Sequence, residues 1–159
     1  MTAATRTIRC PNCQQNNRVP AATEGVPKCG NCHQPLPWIA DADDVSFARI
    51  AEQATIPVLV DLWATWCAPC RMVSPALEKV ATDLAGRIKL VKVDMDASPV
   101  LSRRFEVQAV PTLMVLDRGE VLARQAGAAP APALRQWVDQ ALADRTSTAA
   151  GSSSSGGTP

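Results

Sequence analysis

Several features that would assign this chain to a common functional class are missing from its sequence. No stretch of the 159 residues approaches the roughly 20 apolar residues that a transmembrane helix needs. The first ten residues also lack the apolar run of about 7–15 residues found in secretion signals, so we expect a cytoplasmic protein with no membrane contact. The formal net charge is only +1 and no dense basic run occurs, which argues against nucleic acid as a partner.

The composition divides the chain into three regions. Residues 1–37 hold four of the six cysteines and few large apolar side chains, residues 38–144 carry periodic apolar patterns, and residues 145–159 contain no large apolar residue. We therefore predict a small N-terminal module, one globular domain and a disordered tail. The cysteines form three Cys-x-x-Cys pairs, and in a reducing cytosol such pairs favour metal binding or catalysis over structural disulfides.

The middle region alternates apolar strands with amphipathic helices. The patterns predict helices over 46–54, 67–84 and 132–142, a helix start at 98–99, and strands over 57–63, 88–93, 112–116 and 121–126. Pro75 interrupts the helix over 67–84 and should kink it. This order indicates an α/β fold, in which a central mixed β-sheet is covered by helices on both faces.

Cys67 and Cys70 lie where a buried strand passes into a helix. At the helix N-terminus, unsatisfied N–H groups and the macrodipole favour a thiolate, so we expect the pKa of Cys67 to fall towards neutrality. Cys70 lies one turn further along and should be more buried. Cys67 is then the attacking thiol and Cys70 the thiol that resolves the mixed disulfide. The alternatives are half of a zinc site or two passive cysteines, since a single Cys-x-x-Cys pair is weak evidence.

Asp61 stands in the middle of the apolar strand that precedes this pair. A buried carboxylate is costly unless it is protonated or paired, so its pKa should be raised, which suits a proton acceptor for Cys70. An equally good interpretation from the pattern alone is that Asp61 lies at the strand end and is solvated.

The N-terminal cysteines have the spacing of a four-cysteine zinc ribbon. Cys10 and Cys13 are followed after fifteen residues by Cys29 and Cys32, so two knuckles can each offer two thiolates to one tetrahedral ion. A module of about 37 residues with little core needs such a structural ion. We expect His33 to be a solvated neighbour. The alternative, two local disulfides, is opposed by strain and by the cytosol.

Residues from about 44 to 143 resemble the thioredoxin family. The stretch Val58–Arg71 is similar to that family's active-site sequence, and further motifs follow in the expected order. The resemblance implies that Lys92 is the buried partner of Asp61 and that Pro111 is a cis-proline beside Cys67. It also implies a shallow docking surface for protein substrates, made by Trp66, Ala68, Pro69, Val110, Pro111 and Gly127. Two departures, Ala68 and Ala109, stand where most family members carry glycine.

A zinc ribbon ahead of such a domain resembles the zinc-containing thioredoxins of bacteria. This resemblance implies a monomeric protein-disulfide reductase without an organic cofactor, recycled by an NADPH-dependent thioredoxin reductase and active in redox homeostasis and oxidative stress. It also suggests that the zinc thiolates respond to oxidants. A competing hypothesis is an adaptor, in which the ribbon binds protein or nucleic acid on a thioredoxin-fold platform. The ribbon's four cationic residues have no interleaved aromatics, which gives that hypothesis little support.

Overall fold

The structure, a computed structural model, describes the backbone of residues 5–156 and the side chains of residues 5–145. A two-stranded antiparallel sheet opens the chain, with β1 at Thr5–Arg9 and β2 at Asn16–Pro20. The elements that follow are β3 (Ile39–Ala42), a short π-helical segment (Ala48–Glu52), β4 (Val58–Trp63), α1 (Ala68–Asp83), β5 (Lys89–Asp94), α2 (Pro99–Arg104), β6 (Thr112–Asp117), β7 (Glu120–Ala126) and α3 (Ala131–Gly156). No helix in this part of the chain is long and apolar enough to cross a bilayer.

The main sheet has five strands in the order β3-β5-β4-β6-β7. β3 and β4 both run parallel to β5, whereas β6 runs antiparallel to β4 and β7 antiparallel to β6. One face packs against the π-helical segment and α2, and the other packs against α1 and α3. The predicted mixed sheet with helices on both faces is confirmed, and β4 at its centre leads directly to the Cys67 segment.

α1 forms where the sequence predicted it, and its limits have local causes. Cys67 is the N-cap residue and Pro69 lies in the first turn, where its missing N–H costs nothing. Buried residues recur at helical spacing and attach the helix to the sheet; they are Cys70, Val73, Leu77, Val80 and Ala81. Pro75 lies inside the helix.

Beyond the N-terminal strands β1 and β2, which were not predicted, three elements of the main domain differ from the sequence-based predictions. β3 was not predicted, because its four residues are too few for a periodic signal and include Asp41. The helix predicted over 46–54 is a short π-helical segment, which buries Ile50 and Ala51. α3 continues past the predicted end at Leu142 to Gly156. Most of the predicted disordered tail, 145–159, lies beyond the described side chains, and residues 157–159 lie outside the described backbone, so it stays a prediction.

The N-terminal sheet packs onto the main sheet through Trp38. This buried side chain belongs to the apolar cluster of the N-terminal module, and its Nε1 donates to the Pro20 carbonyl at 3.0 Å. The buried Lys89 of β5 places its Nζ 4.0 Å from the centre of the Trp38 ring and donates to the Ile50 carbonyl at 2.6 Å. Trp38 therefore links the cysteine-rich module to Lys89 of β5, and Lys89 in turn contacts the π-helical segment.

Candidate functional site: a helix-terminal cysteine pair and a four-cysteine cluster

The Cys67–Ala-Pro–Cys70 segment carries a disulfide at the N-terminus of α1. The Sγ of Cys67 accepts a hydrogen bond from the Cys70 backbone N–H at 3.2 Å, so the sulfur itself caps the helix. The same sulfur lies 3.5 Å from the carbonyl oxygen of Val110. Hydrogen-bond donation of this kind stabilises negative charge on Cys67 once the disulfide is reduced.

The relative burial of the two cysteines differs from the prediction. Cys67 and Cys70 are each only 3% exposed, so Cys70 is not the more buried residue. In the disulfide state both sulfurs belong to one small apolar cluster with Ala64, against which Trp63 and Val110 pack. The helix cap at Cys67, and not a difference in exposed area, therefore distinguishes the two cysteines.

The residues around the disulfide form a rim in which some side chains are exposed and others are buried. Trp66 is 69% exposed and its Nε1 donates to Asp96 at 3.0 Å, so this tryptophan lies on the surface beside the disulfide. Ala68 and Pro69 are also exposed, and Val110 is partly buried. Exposed apolar groups beside a sulfur offer a surface on which another polypeptide can pack.

The loop opposite Cys67 is shaped by Pro111 and Gly127. The Val110–Pro111 peptide bond is cis, as the family resemblance implied. Pro111 is buried, so its side chain adds no exposed area to the rim. Its carbonyl accepts from the Gly127 N–H at 2.9 Å, and Gly127 has a φ of +96°. Because that φ disfavours residues with a Cβ, glycine fits this position for conformational reasons.

Asp61 lies inside the sheet and is not solvated. Its side chain is 1% exposed, and its Oδ1 has no hydrogen-bond partner among the described residues. Burial raises the pKa of Asp61 to about 6, and the positive charge of Lys92 opposes that rise. A carboxyl group that titrates near neutral pH is suited to accept and return a proton.

Lys92 is the register partner of Asp61 on the neighbouring strand β5. Its Nζ donates to the Oγ of Ser74 on α1 at 2.5 Å. No ion pair within 4.0 Å joins Lys92 to Asp61 among the side chains that the structure describes. Ser74 was not predicted, because nothing in a linear pattern indicates that the fourth residue after Cys70 meets β5.

The four N-terminal cysteines converge on one point. Their sulfurs lie within 4.8 Å of one another, with Cys10 3.6 Å from Cys32 and Cys13 3.5 Å from Cys29. A tetrahedral zinc ion with Zn–S bonds of about 2.3 Å requires S–S distances of about 3.8 Å, so the set fits such an ion. All four are free thiols and the short distances join opposite knuckles, which disagrees with two local disulfides.

The two knuckles have the same backbone geometry. In the first, Cys10 N–H donates to the Gln15 carbonyl at 2.8 Å and Gln14 has a φ of +70°. In the second, Cys29 N–H donates to the Gln34 carbonyl at 2.9 Å and His33 has a φ of +65°. His33 thus occupies a turn position, and the potential ligand set found in the described part of the chain does not include it.

Amide groups surround the sulfurs of the cluster. The Asn17 side chain donates to Cys29 Sγ at 3.5 Å, and the Asn31 side chain donates to Cys13 Sγ at 3.4 Å. Hydrogen bonding from the Cys32 backbone, more than any other contact, lowers the pKa of Cys29 to about 6. These donors favour the thiolate form that binds metal, and the two asparagines were not predicted.

A mixed five-stranded sheet whose central strand leads to a dithiol at a helix N-terminus defines the class of thiol-disulfide oxidoreductases. The family model described as Thioredoxin matches residues 38–140. The chain belongs to the thioredoxin family, and its domain has the thioredoxin fold.

Individual relatives agree with this assignment. Thioredoxin C-3 of Corynebacterium nephridii is 39% identical over 139 residues, which is 85% of this chain and 94% of the relative. Thioredoxin of Haemophilus influenzae is 37% identical over 98 residues, 62% of this chain and 92% of the relative. Thioredoxin of Mycobacterium bovis is 44% identical over 97 residues, 60% of this chain and 84% of the relative. The alignment with Thioredoxin C-3 is longer than the match to the family model, so it reaches beyond the thioredoxin domain.

Proposed function

We propose that this protein is a zinc-containing thioredoxin that reduces disulfides in other proteins through Cys67 and Cys70. The observation that carries the proposal is the position of the Cys67 sulfur, which caps α1 and lies 3.5 Å from the Val110 carbonyl. There the helix terminus stabilises a thiolate, and the backbone at Val110 is available to pair with a substrate chain.

The proposed reaction has two exchanges. The Cys67 thiolate attacks a substrate disulfide, which forms a mixed disulfide and releases one substrate thiolate. Cys70 then gives its proton to Asp61 and attacks Cys67 Sγ, which releases the second substrate thiolate and leaves the Cys67–Cys70 disulfide. Two electrons have passed to the substrate, and we propose that an NADPH-dependent thioredoxin reductase returns them. Trp66, Ala68, Pro69, Val110 and Gly127 form the proposed docking surface, and Pro111 fixes the loop that carries Val110.

We further propose that residues 1–37 form a ribbon around one structural zinc ion and that residues 38–144 form the thioredoxin domain. The fit of the four sulfurs to a tetrahedral ion and the amide donors around them support this. When bound, zinc supplies a crosslink for a module that has a small core.

The proposed location is the cytoplasm, and the proposed role is redox homeostasis under oxidative stress. A peroxide-dependent loss of zinc from the purified protein tests the response of Cys10, Cys13, Cys29 and Cys32 to oxidants.

The experiment that tests the reductase function supplies thioredoxin reductase and NADPH and follows reduction of a protein disulfide. The wild-type protein should turn over, and Cys67→Ser should not. Cys70→Ser should accumulate mixed disulfides at Cys67, because attack continues while resolution fails. Ser102→Ala, a change on α2 away from both cysteine groups, is the control variant and should retain turnover. Turnover that survives Cys67→Ser contradicts the mechanism.

A further inference from the structure

We propose that Ser74 is a positioning residue: it holds the Lys92 ammonium away from the Asp61 carboxylate and keeps that carboxylate available as the proton acceptor for Cys70. The inference rests on the proposed function, because it assigns a role to Asp61 in the second exchange. It adds a residue that neither the cysteine motif nor the sheet pattern indicates.

The backbone register places Asp61 and Lys92 side by side. They are direct partners on the parallel strands β4 and β5, so both side chains leave the same face of the sheet. That face is the one that α1 covers, because Leu59, two residues before Asp61, packs with Val73 and Leu77 of α1. Opposite charges on adjacent strands of one face attract each other and can form an ion pair.

The lysine instead reaches the helix. Lys92 Nζ donates to Ser74 Oγ at 2.5 Å, whereas Asp61 Oδ1 is left without a hydrogen-bond partner in the described part of the chain. A buried carboxylate oxygen that lacks a partner is costly. The simplest relief, movement of Lys92 towards Asp61, would break the hydrogen bond to Ser74. The hydroxyl therefore competes directly with the carboxylate for the ammonium.

The other groups that face Lys92 do not replace Ser74. Asp41 on β3 is its register partner on the opposite side, but the Asp41 side chain is 65% exposed and its Oδ2 lies 3.6 Å from Arg6. On β6 the register partner of Asp61 is Leu113, which offers no charge. Cys70 stands one turn before Ser74 on α1. Among the described groups, Ser74 Oγ is the hydrogen-bond acceptor assigned to Lys92.

The chemical consequence follows from the distance between opposite charges. An ammonium in contact with a carboxylate favours the ionised form and makes the group a weaker base. With Lys92 held on Ser74, burial dominates the pKa of Asp61 and keeps it at about 6. The base strength of Asp61 is then set by a serine hydroxyl on the helix that also carries Cys70.

The test is a double-mutant cycle read by carbon NMR titration of the Asp61 carboxyl group, which needs no catalytic turnover. Ser74→Ala should lower the titration midpoint of Asp61 by about 1 pH unit, because the freed ammonium of Lys92 can approach the carboxylate. Ser74→Thr keeps a hydroxyl and should restore the wild-type midpoint. Ser102→Ala, a serine change on α2, is the matched control and should have no effect.

The decisive comparison uses Lys92→Met, which removes the ammonium and should raise the midpoint. In that background Ser74→Ala should cause no further shift. An unchanged midpoint in Ser74→Ala, or an equal shift with and without Lys92, overturns the proposal. Failure of the reductase function is separate, because it appears as absent turnover in the wild-type protein while the carboxyl titration remains measurable.

Discussion

Replacing the buried Asp61 by asparagine should change the free energy of unfolding in a pH-dependent way, with the variant gaining stability relative to wild type as the pH rises. Burial raises the pKa of Asp61 from 3.8 to about 6. A pKa difference of one corresponds to 1.36 kcal/mol, so ionising this carboxyl in the folded state costs about 3 kcal/mol. Below pH 3.8 the group is protonated in both the folded and the unfolded chain and the cost is absent. The Asp61 contribution is therefore lost as the pH rises from about 4 to about 7.

Urea unfolding of the wild-type protein and of Asp61→Asn at a series of pH values measures this contribution. The free energy of unfolding of the variant relative to wild type should grow by about 2.5 kcal/mol between pH 4 and pH 8. A constant offset, from burying an amide, is independent of pH and does not affect the test. Asp41→Asn, which alters an exposed carboxylate on the same sheet, is the matched control. If the difference in free energy of unfolding does not change over this pH range, the pKa of Asp61 is not raised by burial.

Three further predictions concern other parts of the chain. Cys10→Ser should reduce the zinc content of the purified protein, as measured by elemental analysis. It should also change the fluorescence of Trp38, which packs in the same apolar cluster. Zinc content equal to that of the wild type would contradict Cys10 as a ligand. Burial lowers the pKa of Lys89 from 10.5 to about 8, so wild-type stability should rise between pH 8 and 10.5, and this rise should disappear in Lys89→Met. Gly127→Ala should cost about 1–2 kcal/mol in urea unfolding, because φ is +96° although no atom lies within 4 Å of the added Cβ; Gly30→Ala, at a glycine without positive φ, should cost less.

The elements nearest to Cys67 were predictable from the sequence because their signals are local. β4 is an apolar run interrupted only by Asp61, α1 has apolar residues at helical spacing, and both formed within one residue of the predicted bounds. The zinc-ribbon spacing likewise predicted that four sulfurs would converge. The α/β class followed from the order of strands and helices.

The features that could not be predicted from the sequence depend on contacts between residues far apart in the chain. β3 is four residues long and is held by its pairing with β5, and Ser74 meets Lys92 only after α1 packs on the sheet. The cis bond before Pro111 came from the family resemblance, since about 95% of such bonds in folded proteins are trans. The equal burial of Cys67 and Cys70 was not predicted, because it depends on the packing of Ala64, Trp63 and Val110 around both sulfurs.

The proposed reaction requires Cys67 to be the ionised, reactive sulfur at the start of α1. The most direct test is to reduce the protein and treat it with a limiting amount of iodoacetamide at a series of pH values. Mass spectrometry then identifies which cysteine carries the label. The label should appear on Cys67 before Cys70, with half-maximal reactivity below pH ~8.5, the midpoint of an ordinary thiol. Labelling of Cys70 first, or reactivity of Cys67 only above that pH, would contradict it.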